Sequence, residues 1–172
     1  MATLRKGKCY RNIVRPYTRR SKKKKKSFIK SVPNSRIARF NTGDTRRKFE
    51  SKLVLKTKEA VQIRHNAIES TRVLINRHLS TNLGPKEYLL TVVAFPHHVL
   101  RENKMLTGAH ADRLQTGMAH AFGKTVGLAA QMKKGSVLFA VSVDKKNVDL
   151  ATKSMKRASP RLPAKVEVEV VS

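Results

Sequence analysis

The sequence contains very little cysteine and no long apolar run. Its one cysteine, Cys9, has no second cysteine to pair with, which excludes an internal disulfide and a zinc site built from thiolates. No apolar run reaches the roughly eighteen residues that a membrane-spanning helix needs, and the charged N-terminus lacks the apolar region of a secretory signal. With 172 residues, 40% of them hydrophobic, the chain is expected to form one domain of ordinary size.

Acidic residues are also scarce. The chain has 11 Asp and Glu against 38 Lys and Arg, a formal net charge of +27 at pH 7. A domain that repels itself this strongly needs a polyanion, and nucleic acid is the commonest one. Residues 1–48 alone carry 18 basic residues against the single acid Asp44. The few scattered acids offer no acid–base pair, and we expect no enzymatic activity.

The six histidines do not predict a metal site. His97 and His98 are adjacent, so in a strand they point to opposite faces. His110 and His120 have few carboxylates nearby in the sequence. We therefore expect no bound metal and no other cofactor.

The stretch GMAHAFGKT, residues 117–125, ends like the phosphate-binding loop of nucleotide hydrolases. That loop needs four residues between its two glycines, because the intervening amides must curl around the β-phosphate. Five residues separate Gly117 from Gly123 here, and the polar stretch before Gly117 has no strand period. We therefore expect no nucleotide cofactor.

Residues 1–26 are predicted to form a basic extended arm that binds nucleic acid, with the body spanning 27–172. The arm ends in the run of lysines at 22–26, and a block of like charge cannot fold alone. Apolar residues such as Tyr10 and Tyr17 alternate with arginines, a pattern typical of a segment that contacts RNA phosphates and stacks on bases. A solvated tail or a localisation signal is the alternative.

The first half of the body predicts short strands followed by a long helix. Apolar stretches between residues 28 and 55, broken by Pro33 and Gly43, indicate two or three strands. Thr57 is expected to cap a helix that Gly84-Pro85 ends. The buried stripe of this helix would consist of Ala60, Ile63, Ala67, Thr71 and Leu74, flanked by Val61, Ile68 and Ile75.

The second half predicts strands around one more helix. Residues 88–95 and 136–143 are strand-like, residues 99–106 would continue the first of these after Pro96, and residues 125–132 fit a strand or a short helix. A helix opened by Asp144 or Lys145 would end at Pro160, and alternating Val and Glu at 166–170 indicate a half-exposed strand. This order predicts an α+β fold, with an antiparallel or mixed sheet and the two main helices on one side.

Residues 103–117 are predicted to form a long connection rich in glycine and alanine. A structureless stretch of this length inside a compact domain is usually functional or disordered. Lys104, Arg113 and Gln115 bring groups that can meet phosphates or base edges, and Gly108 and Gly117 are candidate hinges.

Four stretches resemble a known family: FPHHVLRENKML (95–106), ADRLQTGM (111–118), AFGKTVGLAA (121–130) and CYRNIVRPYTR (9–19). They are similar to the large-subunit ribosomal protein called L-sixteen in bacteria and L-ten-e in archaea and eukaryotes, and nearest to the archaeal and eukaryotic branch. The resemblance implies an α/β-hammerhead fold and a cytoplasmic, ribosomal location. It also implies a site on large-subunit rRNA between the arrival site for aminoacyl-tRNA and the central protuberance, beside other ribosomal proteins.

The resemblance also implies roles for individual residues. Residues 103–117 would be a loop directed toward the tRNA acceptor arm and the peptidyl transferase centre, and GMAHAFGKT would be its return. The candidate rRNA contacts are Arg5, Lys6, Lys8, Tyr10, Arg11, Arg15, Tyr17, Arg19, Arg20, Arg101, Lys104 and Lys124. The candidate tRNA-facing residues are Asn103, Lys104, Gly108, Asp112, Arg113, Leu114, Gln115, Thr116 and Gly117.

A free nucleic-acid-binding protein, such as a chromatin or tRNA-binding factor, is the alternative function. Such a protein would share the positive charge but not the four matching stretches. A nucleotide hydrolase is the enzyme alternative, and the spacing of its loop argues against it.

Overall fold

The computed structural model describes residues 4–13, 29–103 and 123–171, together with Lys23 and Lys25. These residues form two antiparallel sheets and two α-helices, which confirms the predicted α+β class. None of the described helices is long and apolar enough to cross a membrane. Along the chain the elements are β1 (Asn41–Gly43), β2 (Ser51–Thr57), β3 (Val61–Arg64), α1 (His65–Leu83), β4 (Tyr88–Val92), β5 (His98–Glu102), β6 (Lys124–Met132), β7 (Val137–Val143), α2 (Val148–Ala158) and β8 (Val166–Val171).

The larger sheet has five strands in the order β1-β4-β7-β2-β8. Leu90 of β4 and Leu53 of β2 both pair with Val141 of the central strand β7. The edge strand β8 alternates half-buried Val166 and Val168 with exposed glutamates, and its last two valines are exposed, so it is the half-exposed strand that its sequence predicts. The smaller sheet has three strands in the order β3-β6-β5, and all described pairings in both sheets are antiparallel.

The two helices pack against each other and against the larger sheet. Gly84 ends α1 at φ +88°, a backbone conformation that glycine adopts without strain, and its N–H donates to the Ser80 carbonyl at 3.2 Å. One core joins the helices to both sheets, and each fully buried aliphatic side chain contributes about 1.5 to 3 kcal/mol. Its fully buried members include Leu53, Leu55, Ile68, Ile75, Leu79, Leu90, Phe139, Val141 and Met155.

The predicted start of the first helix is wrong. Thr57 ends β2, where its hydroxyl donates to the Lys133 carbonyl at 2.8 Å, and the helix begins at His65. Between them lies β3, whose residues pair with β6 in the register Val61↔Met132. Valine and isoleucine at 61 and 63 satisfy a helical stripe and a strand equally, and the long-range pairing with β6 decides between them.

The stretch after Tyr88 also differs from its prediction. The strand that begins there ends at Val92, and β5 beyond Pro96 belongs to the other sheet instead of continuing β4. Residues 124–132 are a strand and not a short helix. The body therefore contains two separate sheets where the sequence predicts one.

Candidate nucleic-acid interface

The beginning of the chain, residues 4–13, lies against β3, an edge strand of the smaller sheet. The Gln62 backbone N–H donates to the Arg11 carbonyl at 2.9 Å, and the Gln62 side-chain amide donates to the Tyr10 carbonyl at 2.8 Å. Arg64 donates to the Arg5 carbonyl at 2.7 Å. The first of these bonds satisfies a backbone N–H that the open edge of β3 would leave free, and the other two satisfy carbonyls of the N-terminal segment.

Two side chains of this segment also pack on the sheet. Leu4 lies over Gly127 of β6, where an added β-carbon would sit 3.3 Å from the leucine Cδ2. The Arg64 guanidinium stands 5.8 Å from the centre of the Tyr10 ring, within cation–π range. Residues 4–13 are thus held by hydrogen bonds and by packing.

Two ion pairs tie the same segment to distant parts of the body. Arg5 Nε donates to Glu102 Oε1 at 3.0 Å, and this hydrogen bond raises the pKa of the Arg5 guanidinium. Arg11 Nη2 meets Glu59 Oε1 at 3.1 Å. The pKa of Glu59 is lowered first by the Lys165 backbone N–H and then by the charge of Arg11. Both arginines are about half exposed, so these ion pairs contribute little to the stability of the fold. Their main effect is to orient the N-terminal segment on the body.

The strands on either side of the predicted tRNA-facing loop meet at the same sheet. Glu102 of β5 pairs with Lys124 of β6, and Arg101 pairs with Thr125. Gly123 precedes Lys124 at φ +100°, and a β-carbon there would lie 2.4 Å from the Glu102 carbonyl oxygen. Arg5 contacts Glu102, so the beginning of the chain reaches the base of the predicted loop.

The Gly-Lys-Thr at residues 123–125 leads into a strand. Lys124 is the first residue of β6 and is exposed. A phosphate-binding loop instead enters a helix, whose N-terminal amides face the phosphate. The strand after Lys124 therefore supplies no such amides, in agreement with the spacing argument.

The predicted contacts divide between described residues and the rest of the chain. Arg5, Tyr10 and Arg11 contact β3 through their backbone carbonyls, and Lys6 and Lys8 lie between them in the chain. Arg101, Asn103 and Lys124 lie at the ends of β5 and β6 in the same sheet, where Lys124 is exposed, as are Lys6 and Lys8. Outside the described residues are Arg15, Tyr17, Arg19, Arg20, Lys104, Gly108, Asp112, Arg113, Leu114, Gln115, Thr116 and Gly117.

Four residues that hold this arrangement were not predicted from the sequence: Glu59, Gln62, Arg64 and Glu102. The two glutamates carried a sequence signal. In a chain with 38 basic and only 11 acidic residues, each acid is expected to have a basic neighbour. Gln62 carried none, because the helical stripe assigned to residues 60–75 left it on a polar face. Among the described residues there is no group of three or more metal-ligating side chains.

Comparison with known proteins identifies the family. The family described as ribosomal protein L16p/L10e matches residues 16–169. This chain belongs to the L16p/L10e family. The family that its four stretches resemble is thereby confirmed.

Similar L16p/L10e proteins from archaea cover nearly all of the chain. The large ribosomal subunit protein uL16 of Staphylothermus marinus is 42% identical over 93% of this chain and 89% of its own length. The uL16 proteins of Metallosphaera sedula and Archaeoglobus fulgidus are 42% and 39% identical, over 98% and 95% of this chain and 94% and 91% of their own lengths.

Proposed function

We propose that this protein is a non-enzymatic, RNA-binding structural component of the large ribosomal subunit in the cytoplasm. Its partners are large-subunit rRNA and neighbouring ribosomal proteins. The observation that carries the proposal is the L16p/L10e match over residues 16–169, together with a net charge of +27 that RNA phosphates would neutralise.

The surface proposed for rRNA is the smaller sheet with the beginning of the chain against it. The exposed Lys6, Lys8 and Lys124 supply positive charge there, and we propose that the basic residues among 1–26 add to this surface as an arm. Phosphates would pair with the lysines and arginines, while the hydrogen bonds to Gln62 and Arg64 fix the orientation of residues 5–11. In this proposal the body has the family's α/β-hammerhead arrangement.

The loop at residues 103–117 is proposed to face the tRNA acceptor arm. Its support is the family resemblance and the pairing of Glu102 with Lys124, which brings both ends of the connecting segment to one point of the sheet. Arg113 and Gln115 combine length with hydrogen-bonding reach and are the proposed contacts to tRNA. Neither a nucleotide nor a metal takes part.

Sedimentation of a cell lysate tests the ribosomal role. The protein is expected to follow the large subunit at about one copy per particle. A free chromatin protein would follow DNA, and an enzyme would remain at the top of the gradient. Saturable binding of ATP or GTP by the purified protein would contradict the role proposed for Lys124.

A loop replacement tests the tRNA-facing role separately. Exchanging residues 108–116 for a short Gly-Ser linker should leave incorporation into subunits intact but slow tRNA accommodation, with Arg113→Ala and Gln115→Ala the most sensitive single changes. Subunits that contain the shortened protein and translate at the wild-type rate would show that the loop is a passive connection.

A further inference from the structure

A basic groove lies between α1 and α2, apart from the surface proposed above. It encloses about 830 Å³, and its described lining includes Arg77 of α1, Arg157 of α2, and Arg161 in the turn that follows α2. All three arginines are exposed. None of the residues that line the smaller-sheet surface takes part in the groove.

The positive charge of the groove has no compensating carboxylate within the described part of the chain. No carboxylate is among the described residues that line it, and none of its three guanidinium groups forms an ion pair with the described part of the chain. Arg47 and Arg72 elsewhere do pair with carboxylates. Arg157 lies in the last turn of α2, where its positive charge interacts favourably with the helix dipole. Arg77 lies well inside α1, so helix dipoles do not explain why the three arginines are together.

A buried hydrogen bond fixes the two helices on either side of the groove. His78 Nδ1 of α1 lies 2.6 Å from Ser154 Oγ of α2, and Ser154 is fully buried. Because the Ser154 hydroxyl donates to the Leu150 carbonyl at 2.8 Å, we assign the tautomer in which His78 Nδ1 donates toward Ser154. In the neutral ring of His78, Nε2 is then a hydrogen-bond acceptor, and His78 lines the groove.

Other lining groups are acceptors as well. The Ser70 hydroxyl donates to the Ala67 carbonyl at 3.0 Å, and the Thr81 hydroxyl donates to the Arg77 carbonyl at 2.8 Å. Their protons are used, so the oxygens are left to accept hydrogen bonds. The groove therefore combines guanidinium donors, which suit phosphate, with acceptors that suit a hydroxyl group.

We propose that this groove binds the ribose–phosphate backbone of an RNA strand. The arginines take the phosphates, and Ser70, Thr81 and His78 Nε2 accept from ribose 2′-hydroxyls, which DNA lacks. An acidic peptide would use the arginines but has no 2′-hydroxyls, and only its backbone N–H groups could reach these acceptors. This inference rests on the proposed RNA-binding function and adds a second RNA contact to it.

The test compares two full-length triple variants of equal charge. Arg77→Ala/Arg157→Ala/Arg161→Ala removes the groove arginines, and Lys133→Ala/Lys134→Ala/Lys145→Ala removes three exposed lysines elsewhere. Binding to purified large-subunit rRNA is measured against salt concentration. Each phosphate contact contributes roughly 0.7 to 0.9 to the slope of log K against log salt, so the slope should fall by about 2 in the groove variant and by less than about 1 in the control.

A second comparison tests the recognition of ribose. The wild-type protein should bind a 20-nucleotide RNA hairpin more tightly than a DNA hairpin of the same sequence, and the groove variant should lose at least half of that preference on a logarithmic scale. Cross-linking of the wild-type complex, followed by peptide mapping, should identify residues 70–82 or 157–161. This measurement does not depend on the folding of any variant.

The outcomes separate the inference from the function on which it rests. The groove site would be overturned if the wild-type protein binds rRNA but both triple variants have the same salt dependence of binding. It would also be overturned by cross-links found only outside the groove peptides. Either result would leave the ribosomal role intact. A groove variant that keeps RNA binding but no longer captures a polyglutamate peptide would identify a protein-docking site instead. Failure of the wild-type protein to bind rRNA would contradict both proposals.

Discussion

At the scale of single residues, Gly123 is the most constrained position at the base of the predicted loop. Its φ is +100°, and a β-carbon would lie 2.4 Å from the Glu102 carbonyl oxygen. Gly123→Ala should therefore cost the positive-φ penalty of about 1 to 2 kcal/mol, and more because β5 must shift. Urea denaturation of the variant measures the total decrease in the free energy of unfolding.

Gly135 provides the matched control for that variant. Its φ is +80°, but no heavy atom lies within 4 Å of the position that a β-carbon would occupy. Gly135→Ala should cost only the backbone penalty, about 1 to 2 kcal/mol. Equal decreases in the two variants would show that the approach of Gly123 to Glu102 is not rigid.

His65 makes stability depend on pH near neutrality. The ring is buried, its Nδ1 accepts the Arg36 backbone N–H at 3.4 Å, and burial, followed by the charges of Arg36 and Arg64, lowers its pKa. The unfolded chain protonates this residue at its ordinary pKa of about 6.5 and so binds more protons than the folded chain below that pH. The stabilisation is full above about pH 6.5 and is lost as the pH falls toward the lowered pKa.

Urea midpoints at several pH values between about 7.5 and 5.5 measure this effect. His65→Gln should make the dependence shallower, and His98→Gln should add to the change, because burial and then His97 lower the pKa of His98. Glu69 acts in a different range, since its hydrogen bond to Arg72 lowers a carboxyl pKa that is ordinarily near about 4.3. An unchanged pH dependence in His65→Gln would contradict the assignment.

At the scale of elements, the sequence predicts those whose periodicity has one interpretation. Residues 137–143, the alternating Val and Glu of β8, and the stop of α1 at Gly84 all form as expected, because strand composition, period and a glycine cap each act locally. The start of α1 is missed because Val61 and Ile63 suit either structure. Their pairing with Ala130 and Met132 of β6 joins residues roughly seventy positions apart, which no local pattern encodes.

The two faces of α1 should respond very differently to truncation. Ile68 is fully buried in the core, whereas Val73 is 48% exposed. Ile68→Ala should lower the free energy of unfolding by about 2 to 5 kcal/mol, because it leaves a cavity against the sheet. Val73→Ala should change it by less than about 0.5 kcal/mol. Chemical denaturation of both variants checks this, and similar decreases would mean that the burial of α1 has been assigned incorrectly.

At the scale of the whole molecule, the net charge and the four stretches that resemble the family predict the kind of partner. They do not predict which surface of the protein faces that partner. The excess of Lys and Arg identifies a polyanion, and the stretches identify the family. The contact of residues 4–13 with β3 is not predictable, because it depends on Gln62 and Arg64, which the local pattern places in a helix. The meeting of Arg5 with Glu102 likewise requires the fold, since 97 positions separate them.

Residues 1–26 should therefore divide into two parts that differ in what they contribute. Deleting residues 1–11 removes the carbonyl partners of three hydrogen bonds from Gln62 and Arg64, which should cost about 1.5 to 4.5 kcal/mol of stability at roughly 0.5 to 1.5 kcal/mol for each bond. Replacing the lysines at 22–26 with serine should leave stability unchanged but flatten the salt dependence of rRNA binding by about 0.7 to 0.9 for each phosphate that is no longer neutralised. Thermal melts and salt titrations of both variants separate the effects. A lysine replacement that leaves the salt slope unchanged would show that this run is only a solvated tail. A deletion of residues 1–11 that leaves the melting temperature unchanged would show that these residues do not stabilise the edge of the smaller sheet.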